Sequence, residues 1–160
     1  LYPLYRIEEI IRSRDASNDK HTLFLFYPFW EDGYKALILG RLRPSDKDLG
    51  RFPTKADVYA FLNTVSLAVS IPMTDSSPRS VYEAIFCGCC VAVTYNPWIE
   101  AVPGCMKSRI CIVNLEDENW LEKAVRYAES VVSVPYEPSE QALDMFDQDR
   151  SMRAVVSRYY

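Results

Sequence analysis

The chain has 160 residues, of which 49% are hydrophobic and 25% are charged, and its formal net charge is −4. This balance is typical of a soluble globular domain, and the length is sufficient for one hydrophobic core. No basic stripe appears, which argues against a nucleic-acid partner, and no apolar run approaches the roughly 20 residues that a membrane-spanning helix needs. We therefore expect one domain over residues 1–160, and cysteines that fit buried free thiols in a reducing compartment predict a cytoplasmic location.

Along the chain, apolar residues at helical spacing alternate with short continuous apolar runs. The helical patterns lie at residues 4–14, 55–63, 78–87, 119–132 and 139–160, and Thr54 is a suitable N-cap for the second of them. The short apolar runs, which predict buried strands, lie at residues 22–29, 36–40, 65–71, 90–95 and 109–115. Residues 41–54 are polar, contain proline and glycine, and predict a loop.

The order of these elements predicts the fold class. Strands that are apolar throughout and alternate with helices indicate an α/β domain, with a Rossmann-like parallel sheet flanked by helices on both faces. Ligands of such sheets bind outside the carboxyl ends of the strands. The segment that follows the predicted strand 65–71 is therefore the leading candidate for a binding site.

Two carboxylates, Asp75 and Glu83, stand at either end of the most polar part of this segment. Glu83 lies about one turn inside the predicted helix, where its carboxylate can accept hydrogen bonds from vicinal hydroxyls such as a ribose diol. A simpler interpretation is open for each acid. Asp75 can do no more than shape a turn, and Glu83 can form a surface ion pair with Arg79, four residues earlier.

The residues between the two acids suit an anion. Ser77 can cap the helix, and Pro78 fits the first turn, where a missing N–H costs nothing. The backbone N–H groups of Arg79 and Ser80 then point out of the helix start, and the helix dipole favours negative charge there. The pattern predicts a phosphate or sugar ligand at this turn.

The segment also resembles a known family, the group 1 GT-B glycosyltransferases. In their nucleotide-sugar-binding half, these enzymes carry an acid, seven residues, a glutamate, and a short helix that ends in Cys-Gly before a strand. Here Asp75 is followed by SSPRSVY, Glu83 and the helix end EAIFCG. Residues 96–100, NPWIE, and residues 113–128 are similar to the family's downstream segments, so the resemblance covers about residues 55–127.

This resemblance implies a retaining hexosyltransferase of polysaccharide biosynthesis, without a metal or a cofactor. The enzyme would move a sugar from a nucleoside-diphosphate donor to a glycan, a lipid-linked saccharide or a similar acceptor. By analogy, Glu83 holds the ribose hydroxyls and Asp75 contacts the donor sugar, both in catalytic roles. The residues that the analogy places along the sugar and the diphosphate are Ser76, Ser77, Pro78, Arg79, Ser80 and, after the next strand, Asn96.

The same resemblance implies a partner domain. GT-B enzymes bind the acceptor on an N-terminal domain, so we expect this chain to be the C-terminal, donor-binding half of a longer protein. The isolated half would be inactive, and the full-length protein would associate peripherally with a membrane. The helical pattern within the first residues of the chain fits the expectation of a fragment.

Some positions depart from the family's pattern. Asp75 is one methylene shorter than the usual glutamate, serines replace a glycine-containing turn, and Pro97 stands where a glutamate is common. The Gly-Arg and the lysine that neutralise the diphosphate in the family have no counterpart, and Arg79 is the cation close to the motif. These departures favour an alternative function, that of a Rossmann-like binding or regulatory module without transferase activity.

The five cysteines have a spacing that suits neither a disulfide framework nor a zinc site. Cys87, Cys89 and Cys90 crowd at a predicted helix-to-strand junction, where buried free thiols are expected. His21, the single histidine, precedes a predicted strand in a polar connection and is expected at the surface.

Overall fold

The computed structural model describes residues 3–26, 29–74 and 78–147. After a 3-10 helix at Pro3–Tyr5, the helices in this part of the chain are α1 (Ile7–Ala16), α2 (Asp32–Leu39), α3 (Lys55–Leu62), α4 (Arg79–Phe86), α5 (Trp98–Ala101), α6 (Gly104–Lys107), α7 (Trp120–Val131) and α8 (Glu140–Phe146). The strands are β1 (Phe24–Leu25), β2 (Lys47–Asp48), β3 (Leu67–Ser70), β4 (Cys90–Val93) and β5 (Ile110–Ile112). Among the described residues, no helix is long and apolar enough to cross a membrane.

Strands β3, β4 and β5 form a parallel sheet with β4 in the middle. All four residues of β4 are buried, and successive side chains enter different cores because side chains alternate along a strand. Val91 and Val93 pack with α4 on one face, whereas Ala92 packs with α1 and α7 on the other. The prediction of an α/β fold with parallel strands flanked by helices is confirmed, in small sheets of three and two strands.

The apolar run at residues 36–40 is not the predicted strand; it forms the last part of α2. Tyr34 and Ile38, four residues apart, are buried, while Leu37 is exposed. This spacing of buried residues is helical. The Glu31 carboxylate starts the helix by accepting the N–H of Tyr34 at 2.7 Å, and this capping contact was not predicted.

The predicted strand 22–29 is also shorter than expected. Among its described residues only β1 is a strand, and residues 27 and 28 lie outside the described part. Its partner is β2, which lies inside the predicted loop 41–54 and pairs with β1 in parallel. The polar residues Lys47 and Asp48 form β2, so no apolar run marks this strand in the sequence.

The predicted helix 139–160 begins as expected. Ser139 caps α8 by accepting the N–H of Ala142 on its hydroxyl at 3.2 Å. Within the described residues the helix extends over Glu140–Phe146, and residues 148–160 lie outside the described part of the chain.

All five cysteines are free thiols in the structure. Cys89 and Cys90 are fully buried, and burial raises the pKa of each to about 12. Cys87 is half-buried, and its pKa is raised by burial and by the negative charge of Glu83. The remaining two, Cys105 and Cys111, are also half-buried. The prediction of free thiols is therefore confirmed, and the prediction of burial holds fully for Cys89 and Cys90.

We expect the melting temperature to be the same with and without a reductant, because no crosslink constrains the unfolded chain. Thiol titration after denaturation should find all five thiols free. A melting temperature that falls on reduction, together with fewer thiols titrated, would instead reveal a structural disulfide.

Candidate functional site

The carboxyl ends of the parallel strands form the edge of the sheet at which the sequence predicts a binding site. Strand β3 ends at Ser70, and α4 begins at Arg79. Asp75, Ser76 and Ser77 lie outside the described residues, so the ligand contacts predicted for them stay predictions. The capping role predicted for Ser77 is wrong, because the N-cap of α4 is Pro78. The other predicted site residues lie in or beside α4 and after β4.

Pro78 occupies the N-cap position of α4, one residue before the first-turn position predicted for it. Its carbonyl accepts the N–H groups of Val81 at 3.0 Å and Tyr82 at 3.2 Å. The N–H groups of Arg79 and Ser80 precede these first helical bonds, so they have no acceptor within the helix. Pro78 is buried, whereas Arg79 and Ser80 are exposed, as a site at the helix start requires.

Glu83 is 5% exposed, yet its carboxylate has three partners on two helices. Lys55 Nζ lies 2.8 Å from Glu83 Oε1 and 2.9 Å from Oε2. The Tyr59 hydroxyl donates to Oε1 at 3.4 Å, and Arg79 Nε lies 3.5 Å from the same oxygen. The ion pair between Arg79 and Glu83 is therefore present, but it is not a pair of two surface residues, and the shorter contact of Glu83 is with Lys55.

Lys55 is a site residue that the sequence analysis missed. It is the first residue of α3, which begins with a capping box. The Thr54 hydroxyl accepts the N–H of Asp57 at 3.2 Å, and the Asp57 carboxylate accepts the N–H of Thr54 at 3.0 Å. This cap fixes the residue at which α3 starts and thereby sets where the lysine side chain leaves the helix.

The predicted topology could have identified Lys55 as a site residue. A helix that precedes a strand of a parallel sheet runs back from the carboxyl edge to the amino edge. The starts of α3 and α4 therefore lie at the same edge, and a lysine at the first position of α3 comes close to the first turns of α4.

Two cations face one carboxylate at this site. The side chains of Lys55 and Arg79 are 64% and 70% exposed, so they reach from solvent to the buried Glu83 carboxylate. Two positive charges thus face the one negative charge of Glu83, while the Asp57 carboxylate lies in the first turn of α3. The dipoles of α3 and α4 add positive potential at both helix starts. The arrangement can attract an anion through the cations and accept hydroxyl groups through the carboxylate.

Asn96 lies after β4, at the same edge of the sheet. Its side-chain oxygen accepts the N–H of Trp98 at 3.4 Å, which helps to start α5. The Trp98 ring packs edge-on against Tyr82 of α4, with 5.6 Å between the ring centres. This contact holds the segment that follows Asn96 against α4.

The structure thus brings Arg79, Ser80 and Glu83 together with the unpredicted Lys55. Among the described residues, no group of three or more His, Cys, Asp or Glu side chains is arranged to hold a metal ion. Comparison of the chain with models of known protein families and with curated proteins finds no match.

Proposed function

We propose that this chain is the donor-binding half of a GT-B glycosyltransferase and binds a nucleoside-diphosphate sugar at the start of α4. The observation that carries the proposal is the buried Glu83 carboxylate on the helix after a parallel strand, with Lys55 and Arg79 at its side. A ribose diol, a diphosphate and a carboxylate-plus-cation site are chemically complementary. The small parallel sheet is compatible with one Rossmann-like half of that fold.

In this proposal the bound donor replaces the contacts that Glu83 makes with the two cations. The ribose hydroxyls donate to the Glu83 carboxylate, while the Lys55 ammonium and the Arg79 guanidinium turn toward the diphosphate. The N–H groups of Arg79 and Ser80 add donors to the same phosphate oxygens. Asp75 contacts the sugar, as the family resemblance implies.

Lys55 adds a second cation near the motif, where the sequence analysis identified Arg79. A departing nucleoside diphosphate carries negative charge, and positive groups close to it stabilise the transition state. With Lys55, the site has two such groups on different helices. The rest of the proposed enzyme comprises an N-terminal, acceptor-binding domain, and it acts in the cytoplasm with peripheral membrane association.

One observation favours the alternative, a binding or regulatory module without transferase activity. Both oxygens of Glu83 already contact Lys55, so the carboxylate is satisfied without a ligand. In that case Glu83 joins α3 to α4 and stabilises the fold only. The two functions differ in whether the protein binds a nucleotide, which can be measured.

The Glu83→Gln variant tests this choice. Loss of a hydrogen bond to a charged group costs about 1.5–3 kcal/mol, so the affinity for uridine or guanosine diphosphate should fall about ten- to a hundredfold. The measurement is calorimetric titration of the parent and the variant, with the melting temperature recorded for both.

Glu129→Gln is the matched control, because Glu129 is an exposed residue of α7. It should bind the nucleotide like the parent. A parent that binds neither diphosphate, combined with a lower melting temperature for Glu83→Gln, would support the alternative. Equal affinity of Glu83→Gln and the parent would refute the role assigned to Glu83.

A further inference from the structure

A cavity of about 350 Å³ lies at the amino-terminal ends of the strands in the three-stranded sheet. Ser66 directly precedes β3, Gly88 lies just before β4, and Arg109 directly precedes β5, and all three line the cavity. The candidate donor site lies at the opposite ends of the same strands, so the cavity is separate from it. Its volume is within the range of small-molecule sites.

Arg109 places a buried positive charge at this cavity, since the residue is 4% exposed. Its Nη1 donates to the Gly88 carbonyl at 2.8 Å, and its Nη2 donates to the Val134 carbonyl. Its guanidinium carbon lies 5.8 Å from the centre of the Tyr136 ring. These partners are neutral, and no carboxylate of the described residues lies within 4.0 Å of the guanidinium.

Among the described residues, one other arginine is buried, and its surroundings differ. Arg14 Nη1 lies 2.8 Å from each carboxylate oxygen of Asp46, whose side chain is fully buried. A buried charge is costly unless a counter-charge accompanies it. Arg14 has a full counter-charge in the Asp46 carboxylate, whereas Arg109 has the partial negative charges of two carbonyl groups and of the C-terminal ends of α3, α4 and α7, which border the cavity.

The remaining lining indicates which class of anion fits. Asn63 and Ser66 contribute an amide and a hydroxyl group, and none of the residues that line the cavity is acidic. Val132 and Pro135 contribute apolar surface. One cation, neutral hydrogen-bonding groups and an apolar wall suit a small molecule with an oxyanion at one end and an apolar body at the other.

We propose that this cavity binds a small organic oxyanion, with its phosphate or carboxylate group on Arg109 and its apolar body against Val132 and Pro135. The carbonyl groups of Gly88 and Val134 hold the guanidinium in place and leave further N–H donors for the ligand. The site lies at the C-terminal ends of α3 and α4, away from the starts of both helices, so it is separate from the donor site.

The test follows the Nε–Hε signal of Arg109 by nuclear magnetic resonance during titration of the whole chain. The probes are phenyl phosphate, benzoate and inorganic phosphate. We expect a saturable shift with an organic probe and weaker binding of inorganic phosphate, because inorganic phosphate lacks the apolar body. The tighter of the two organic probes identifies the oxyanion.

The Asn63→Asp variant places a competing carboxylate in the lining and leaves the carbonyl contacts of Arg109 intact. We expect it to weaken binding of the organic probe about ten- to a hundredfold, the range for loss of a charged hydrogen bond. Asn114→Asp makes the same change at an exposed position outside the cavity and should bind like the parent. The absence of a saturable shift in the parent, or equal binding by the two variants, would overturn the proposal.

Discussion

Replacement of Asp46 with asparagine is expected to lower the free energy of unfolding by about 3–5 kcal/mol, the usual effect of breaking a buried ion pair. The side chains of Arg14 and Asp46 are 3% and 0% exposed. Asp46 also accepts the backbone N–H groups of Leu23 at 2.9 Å and Arg43 at 2.7 Å. The carboxylate therefore ties α1 to the start of the two-stranded sheet, and its removal leaves the buried guanidinium with the more distant, exposed carboxylate of Asp15, 3.9 Å from Arg14 Nε.

The same carboxylate gives the stability a dependence on pH. Burial raises the pKa of Asp46, but hydrogen bonds from Leu23, Arg14 and Arg43 outweigh it and hold the pKa below its usual value of 3.8. A group whose pKa is lower in the folded state stabilises the fold fully above its unfolded pKa. This stabilisation is lost as the pH falls through the folded pKa, and Asp46→Asn should lack this part of the acid sensitivity.

Urea denaturation at neutral pH and at pH values below about 4, near the pKa of an unfolded aspartate, measures both effects. Asp117→Asn is the control at neutral pH, because Asp117 pairs with Lys123 at the surface, where such pairs contribute little. We expect this variant to unfold close to the parent. An Asp46→Asn variant with the same urea midpoint as the parent would contradict the stabilising role of the buried pair.

The second prediction with a large expected effect is that the isolated chain transfers no sugar. In the proposed GT-B enzyme the donor and the acceptor meet in a cleft between two domains. Correct positioning of two reactants supplies about 7–11 kcal/mol of the barrier, and a donor-binding domain forms one wall of that cleft. The described residues contain two small sheets, of three and two strands, and the candidate donor site lies at the edge of the larger one.

The assay incubates the purified chain with a panel of nucleotide sugars and simple acceptors and measures nucleotide release. The expected rate is the spontaneous rate of hydrolysis. Turnover above that rate, lost in Glu83→Ala, would mean that the site is complete in this chain and that the proposed need for a second domain is wrong. Activity that survives in Glu83→Ala would point to a contaminating enzyme.

The fold around the candidate site was predictable because its signals are local. Thr54 marks the start of α3 by its capping pattern, and the apolar stretches at residues 65–71 and 90–95 contain β3 and β4. Helix α4 shows its buried face in Val81 and Ile85, which lie four residues apart. Each of these features depends on residues within a few positions of one another.

The first third of the chain could not be predicted in the same way. An apolar run of five residues is compatible with a strand or with part of a buried helix, and residues 36–40 belong to a helix. Strand β2 is polar and two residues long, so the local pattern of apolar residues does not indicate its pairing with β1.

The contact partners of Glu83 and Arg109 could not be predicted from local sequence patterns either. Lys55 and Glu83 are 28 positions apart, and Arg109 reaches carbonyl groups 21 and 25 positions away. Glu83 itself was predicted from its place on the helix after β3. What the sequence analysis missed was the lysine that neutralises it, since this contact depends on how α3 packs against α4.

The central claim, that the carboxyl edge of the sheet binds a nucleoside-diphosphate sugar, is tested most directly by a residue-resolved titration. Uridine and guanosine diphosphate are added to the isotope-labelled parent chain, and the amide signals are followed by nuclear magnetic resonance. We predict saturable shifts with at least one nucleotide, largest at Arg79, Ser80 and Glu83 and smaller at Asn96. No saturable shift with either nucleotide, or shifts confined to the cavity beside Arg109, would contradict the claim.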